Sequence, residues 1–345
     1  MKVLYMVFMI LGCFMGAGFV SGREIACYFS TFGKYSFLGV IIAIILMFLL
    51  IYFFFRLSCS CSSFDSFVCT YFSKSGKVIN WLFALCLFIL SSSMFAGSLA
   101  IAETVNISKI IFALITAILA YLVVIGNIGL LKKINFILVP IIILTMFFVC
   151  VGQVNVSVNY GSLVLSILGS TNYVFMNIVT LGLFILETGR ECSRKQALIV
   201  SAISSVIIGV LLFVCNNAII VNNLLSVPMP MLALATKKGF WVWVVTAITI
   251  WIGLFTTVIS TLFVLSNYVN KYVGNYSLTL IMLLALTCVA STFGFAFLVA
   301  YVYWIIGIVG VILVFKVICE KTRKTFRVKR LKYWFCRITL NFVFY

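Results

Sequence analysis

The chain has 345 residues, 65% of them hydrophobic and 9% charged, with a mean hydropathy of +1.30. Soluble domains are roughly 45–50% apolar and about 25% charged, so composition excludes a water-soluble globular protein and leaves an all-α polytopic membrane protein. The formal net charge of +18 does not argue for nucleic acid, because nine of the 24 Lys and Arg lie between Lys316 and Arg337, beside a membrane segment and without a recognition fold.

Ten membrane segments can be drawn, at about residues 3–33 (interrupted), 36–55, 78–103, 108–125, 134–151, 161–188 (interrupted), 195–220, 239–267, 276–293 and 297–318. They make a single transmembrane domain, 1–318, followed by a basic tail, 319–345. No cleavable signal peptide is expected, since Arg and Glu directly follow the small residues of the first segment.

The first segment carries the oddest stretch, "GAGFVSGRE" from Gly16 to Glu24. Breaking a membrane helix in lipid orphans backbone groups at several kcal/mol each, unless they line a protein or water-filled site. Gly16, Gly18 and Gly22 permit backbone angles closed to other residues, Ser21 adds a hydroxyl, and Ala17 completes the small-residue run. A half-helix beginning near Gly22 would point its positive end at the gap. The alternative is small-xxx-small helix packing, which explains the glycines but not Arg23 and Glu24. Those two charges suit a gating or structural role; Glu24 can pair with Arg23 or Lys34, or take part in proton coupling.

The connection from Phe55 to Lys77 is Ser-rich and polar, without the periodicity of a separate domain. Ser91, Ser92 and Ser93 in the third segment are weak candidates for a site wall. In the sixth segment, Ser170, Thr171, Asn172 and Tyr173, with Asn177 further on, place polar groups near mid-membrane depth. They are costly there unless they line a cavity or bond between helices. In the eighth segment Thr246, Thr249, Gly253, Thr256 and Ser260 share one helical face, with Thr257 beside it. Their hydroxyls offer hard oxygen ligands for a small cation, or bond their own helix.

Twelve Cys and no His give no metal site. Most of the thiols sit in apolar segments as small hydrophobes, and the Cys59–Cys61 pair lacks a second pair for zinc. With six acids in all, mostly at membrane edges, acid–base catalysis has few partners, and no enzyme is expected.

Lys and Arg set the orientation. Lys2, Arg56, Lys74, Lys77, Lys132, Lys133, Arg190, Arg194, Lys195, Lys271 and the tail fall on the side of the N-terminus, against Arg23, Lys34, Lys109, Lys237 and Lys238 opposite. Both termini are therefore expected in the cytoplasm, in the cell membrane, with the tail touching anionic lipid. Division near Asn155 gives two groups of five segments, 1–154 and 155–318, each opening on an interrupted segment, the pattern of an inverted-repeat transporter.

"GAGFVSGREI" resembles the opening of the YkvI-type membrane proteins, an uncharacterised family of the APC superfamily with the LeuT-like fold. "INFILVP" (Ile134–Pro140), "YVFMN" (Tyr173–Asn177), "VPMPMLALA" (Val227–Ala235), "LFTTV" (Leu254–Val258) and "FGFAFLVAYVYWIIG" (Phe293–Gly307) are similar to later parts of that family, in order. Trp304 departs from the Pro expected after the Tyr of the tenth segment. The resemblance implies two five-helix inverted repeats with helices 1 and 6 broken around a central substrate. Gly16, Ala17, Gly18, Ser21, Gly22, Ser170, Thr171, Asn172, Tyr173 and Asn177 would line that site. In sodium-coupled relatives segments 1 and 8 share a cation, which here points to Gly16, Phe19, Thr256, Thr257 and Ser260.

The function expected is a secondary transporter of a small solute, an amino acid or related zwitterion, coupled to Na⁺ or H⁺, with no other cofactor. The competing expectation is a non-transporting sensor of the germinant-receptor type.

Overall fold

The computed structural model describes residues 2–61, 64–72, 75–105, 107–126, 129–152 and 160–342. Among these, seven helices are long and apolar enough to cross a bilayer, and three shorter apolar ones, Val3–Phe14, Leu138–Cys150 and Tyr276–Ser291, complete the ten. Segment 1 is in three pieces, α1 (Lys2–Phe14), α2 (Ala17–Val20) and α3 (Arg23–Tyr28), and a 3₁₀ turn, Ser30–Tyr35, leads to segment 2, α4 (Ser36–Ser58). After the short α5 (Phe64–Phe72) come segments 3 to 5: α6 (Gly76–Thr104), α7 (Lys109–Gly126) and α8 (Gly129–Cys150). Segments 6 and 7 are α9 (Leu163–Thr188) and α10 (Arg194–Val221), and α11 (Pro230–Lys238) precedes segments 8 and 9, α12 (Phe240–Val273) and α13 (Tyr276–Ser291). Segment 10 comprises α14 (Phe295–Phe297), a π-helical turn over Leu298–Val302, and α15 (Tyr303–Phe342).

Several helix pairings are related by exchange of the two halves. Swapping segments 1–5 with 6–10 turns the pairing of 2 with 6 into 7 with 1, 6 with 10 into 1 with 5, and 8 with 9 into 3 with 4, and every one of these pairs touches. Segments 3 and 8, and 2 and 7, are packed on their own counterparts. Close approach is built with small residues, as membrane packing requires: a Cβ on Gly310 would strike the Phe175 carbonyl, and one on Gly209 the Ile44 side chain. Elsewhere apolar side chains face outward, including Ile110, Ile111, Leu114, Ile118 and Leu122 along α7. That is how a chain so apolar can be ordered without burying everything.

Two expectations are corrected. The sixth segment is not broken: α9 is one helix of 26 residues through Gly169–Asn172. Its glycine serves close packing, since a Cβ on Gly169 would meet the Phe32 ring and the Tyr28 carbonyl, and its polar side chains find partners without unwinding the backbone. The connection after Phe55 is not merely polar, because α5 buries Phe67, Val68, Tyr71 and Phe72. The last helix of segment 10, α15, runs on through the basic stretch to Phe342. The "VPMPMLALA" stretch, resembling an outer loop, contains a helix with Pro230 in its first turn, where proline's missing N–H costs nothing.

The turn from segment 1 to segment 2 is anchored on segment 7. Ser30 donates to Asn216 Oδ1 and Asn216 Nδ2 donates to Ser36 Oγ, each at 2.9 Å and buried. Replacing Asn216 by Ala leaves both hydroxyls without this partner and should cost about 1–3 kcal/mol, read as a lower unfolding midpoint in detergent. Thr292→Ala, an exposed hydroxyl bonded only to its own helix, should stay within about 0.5 kcal/mol of the parent.

Candidate functional site

The glycine stretch breaks segment 1 twice. Gly16 O accepts from both Phe19 N and Val20 N, and Phe19 O accepts from Gly22 N, closing α2 into a single turn. Gly22 has φ +81°, the left-handed conformation that glycine adopts freely, and it starts α3 on a new axis. The freed groups are taken up by neighbours: Ser21 Oγ donates to Gly18 O at 3.0 Å, and Met231 N of α11 donates to Ser21 O at 3.0 Å. Arg23 does not pair with Glu24. Its guanidinium donates to the carbonyls of Leu225 and Val227, at 2.7 and 3.3 Å, tying the segment that precedes α11 to the break. Lys34 lies over the Tyr35 ring instead.

Glu24 turns into the protein. It is 4% exposed and its carboxylate lies against Gly18, so closely that a Cβ there would overlap it. Tyr173 of α9 stands beside the carboxyl, with Tyr28 of α3 and Tyr303 of α15 completing its surroundings; all three tyrosines are fully buried. The Tyr28 ring packs on Tyr173 at 5.6 Å and stacks on Trp304 at 5.4 Å. Thus the residue that departs from the resembled family forms part of the wall. Phe14 and Phe29 close on Tyr173 edgewise, at 5.7 and 5.1 Å.

Buried polar side-chain atoms are ordinarily hydrogen-bonded, and each exception calls for an explanation. Here several exceptions gather. Glu24 Oε2 and the hydroxyls of Tyr28, Tyr173, Tyr303 and Ser93 lack a hydrogen bond of good geometry among the described residues, as does Asn172 Oδ1. Ser93, on α6, faces Tyr303, and Asn172 donates its amide to Trp304 O at 3.1 Å. Those of Glu24, Tyr28, Tyr173, Tyr303 and Ser93 thus come from segments 1, 3, 6 and 10 and lie together, while Asn172 Oδ1 lies against Gly307 of segment 10; Asn80, Ser204 and Trp251 carry further such atoms outside this group.

The structure brings together only some of the predicted residues. Gly18, Ser21, Gly22, Arg23 and Glu24 are at the break, with Tyr173 facing it. A Cβ on Gly16 would meet open space, and Ala17 begins α2. Ser170 and Asn177 donate to the carbonyls of Ile167 and Tyr173 in their own helix, and Thr171 is half-buried. Phe19 is buried edge-on to Phe14.

On α12, Gly253 faces Val20 of α2, so segments 1 and 8 do meet. Thr256 and Thr257 both donate to Gly253 O, and Ser260 donates to Thr256 O from an exposed position. Each of these hydroxyls is engaged with its own helix, and so are the Gly16 and Phe19 carbonyls. Sequence reasoning missed Tyr28 and Tyr303. Tyr28 stands one turn after Glu24, the spacing that shares a helix face, and that was a usable signal. Tyr303 gave no signal of its own among the many apolar and aromatic residues of segment 10.

Beyond Arg23, a cleft of about 650 Å³ opens between the end of α6 and α11, lined by Glu103, Met229, Leu232, Phe240 and Trp243 among others. Glu103 pairs with Lys109 at its edge.

No family model matches the chain. The uncharacterized protein YyaD of Bacillus subtilis (strain 168) is 23% identical over 320 residues, covering 88% of this chain and 93% of that protein. Among solved structures the chain is similar to a Na⁺-coupled sialic acid symporter in a substrate-bound outward-open state, with a TM-score of 0.58 and 13% identity. That match covers 84% of this chain and 72% of the symporter. At such identity the likeness is one of fold, and the polytopic all-α transporter fold expected from the sequence is the fold observed.

Gly22 tests how the break is held. A Cβ there would meet Met231 Cε at 2.8 Å and Pro230 Cβ at 3.3 Å, in addition to the left-handed strain, worth about 1–2 kcal/mol. Gly22→Ala should lower the unfolding midpoint. Combined with Met231→Ala it should cost less than the two single changes added together, and simple additivity would show that the contact is not tight.

Proposed function

We propose that this protein is a secondary transporter that moves a small solute by alternating access. The observation that carries the reading is the convergence of unpaired buried polar groups on the break in segment 1, within a transporter fold. Interrupted helices at mid-membrane depth mark the substrate and ion sites of such folds, and irregular backbone is tolerated there only where protein or a cavity receives it. The solute class we propose is an amino acid or related zwitterion. The amides and carbonyls around Gly16, Ala17, Gly18, Ser21 and Gly22 would face it on one side, with Tyr173 and Asn172 on the other; Ser170, Thr171 and Asn177 would shape the helix behind them. We read the chain as a YkvI-type member of the APC superfamily, with repeats at about 1–154 and 155–318.

The coupling ion in this reading is Na⁺ or H⁺. Sodium would sit between segments 1 and 8, at Gly16, Phe19, Thr256, Thr257 and Ser260, since a hydroxyl that donates to its own helix keeps lone pairs for a cation. Arg23, by holding the approach to α11, acts as a latch on one side of the site.

Membrane vesicles carrying the full chain should take up a component of a labelled L-amino-acid mixture under an imposed ion gradient and collapse that uptake with an ionophore. Binding without flux would favour a sensor. If sodium occupies the proposed site, Thr257→Val should abolish the sodium dependence while the protein remains in the membrane, and unchanged dependence removes the site.

In this reading both termini lie in the cytoplasm of a cell-membrane protein, with the basic stretch after 318 against anionic lipid, as the Lys and Arg distribution favours. Single-Cys labelling on a Cys-depleted background should find Ser75 accessible from the cytoplasmic side and Asn222 from the opposite one. Labelling of both from one side would refute the ten-segment arrangement.

A further inference from the structure

We propose that Glu24 is the proton carrier of this protein, taking up one proton from water on one side of the membrane and releasing it to the other in each cycle. The inference rests on the transporter reading above and names the ion that drives it.

An ionised carboxylate without a counter-charge is strongly disfavoured in an apolar interior, and ionisable groups within membrane segments mark substrate pathways or proton relays. Among the described residues Glu24 has no counter-charge. On α3 its neighbours are Tyr28 and Cys27, while Arg23 is spent on Leu225 and Val227. From α9 comes Tyr173, from α15 Tyr303, and behind Tyr303 lies Ser93 of α6. The α2 turn, Ala17–Val20, brings no titratable side chain. Among the described residues, then, every polar side chain facing the carboxyl is neutral.

Hydroxyls suit a group that changes protonation state. A hydroxyl donates to the carboxylate and accepts from the carboxylic acid, so Tyr173, beside the carboxyl, can serve both the loaded and the empty carrier. Lysine or arginine in its place would hold the carboxylate charged.

Glu24 sits on the six-residue α3, which lies between Gly22 in the left-handed region and the non-helical Phe29 (φ −132°, ψ −62°), with Gly33 at φ +53° beyond. In the proposed cycle this short segment, jointed at both ends, turns to carry the carboxyl between the two sides. The chemistry is a proton transfer alone: an O–H bond forms on the carboxylate with a proton from water, and the same bond breaks to water on the far side.

The full chain, reconstituted in liposomes clamped at zero membrane potential and free of sodium, is assayed with a mixture of radiolabelled L-amino acids. With one proton per solute, a gradient of one pH unit drives about a tenfold accumulation. The native chain should reach it. Glu24→Gln should accumulate nothing yet exchange solute across the membrane near the native rate, because exchange moves no net proton. Native-like accumulation by Glu24→Gln, or native accumulation that follows a sodium gradient and ignores pH, overturns the proposal and leaves the transporter reading intact. Neither uptake nor exchange by the native chain overturns both. Should Glu24→Gln fail to reach the membrane, Glu24→Asp, which draws the carboxyl back by one methylene, should retain proton-driven accumulation with a displaced pH profile. A profile superimposable on the native one would reject the assignment.

Discussion

A backbone that stops being helical inside a bilayer must find new partners for every group it frees, and that single requirement organises this molecule. The break at Gly16–Gly22 is affordable only because other parts of the chain reach it. The Ser21 hydroxyl answers the Gly18 carbonyl, and the Met231 amide answers Ser21. The Arg23 guanidinium then carries the preceding loop along. An element outside the span, α11, is in this way made part of the first membrane helix. Any motion that loosens α11 must also reopen the hydrogen bonding of the break.

The two halves of the fold share their pattern of neighbours but not their chemistry. In segment 1 the backbone itself is interrupted; in segment 6 the helix stays whole and contributes side chains. This asymmetry divides the labour at the site. Segment 1 brings a carboxyl on a short turn flanked by irregular backbone, and α9 presents Tyr173 and Asn172 from an unbroken helix. Aromatic packing of Tyr28 on Trp304 and Tyr173 ties the two to segment 10.

Much of this was legible in the residues. Three glycines, a serine and an ion pair inside an apolar run have no cheap place in an unbroken membrane helix, so the interruption at Gly16–Gly22 could be read directly. Gly169–Asn172 looked equivalent and was not. Ser170 and Asn177 bond to carbonyls of their own helix, and Gly169 makes room for Phe32; polar side chains report a need for partners, not where those partners are. Tyr303 could not be singled out, because in a chain that is 16% aromatic one more buried ring carries no signal. Pairing of Glu24 with Arg23 was the natural reading of adjacent charges. Adjacent residues on a helix diverge by about 100°, and here one turns to the loop and the other to the interior.

Segment 10 passes the site through the π-helical turn at Leu298–Val302. Its inward residues in and around that turn, Phe295, Leu298, Val299 and Tyr303, are buried, while Phe297 and Tyr301 are exposed. A π-turn carries one residue more than the α-helical count, and such turns recur at functional sites. A rearrangement of that turn to plain α-helix would change by about 100° the angle between the residues before it and those after it, so the setting of Tyr303 against the lipid-facing side of the same helix could change without moving the helix axis.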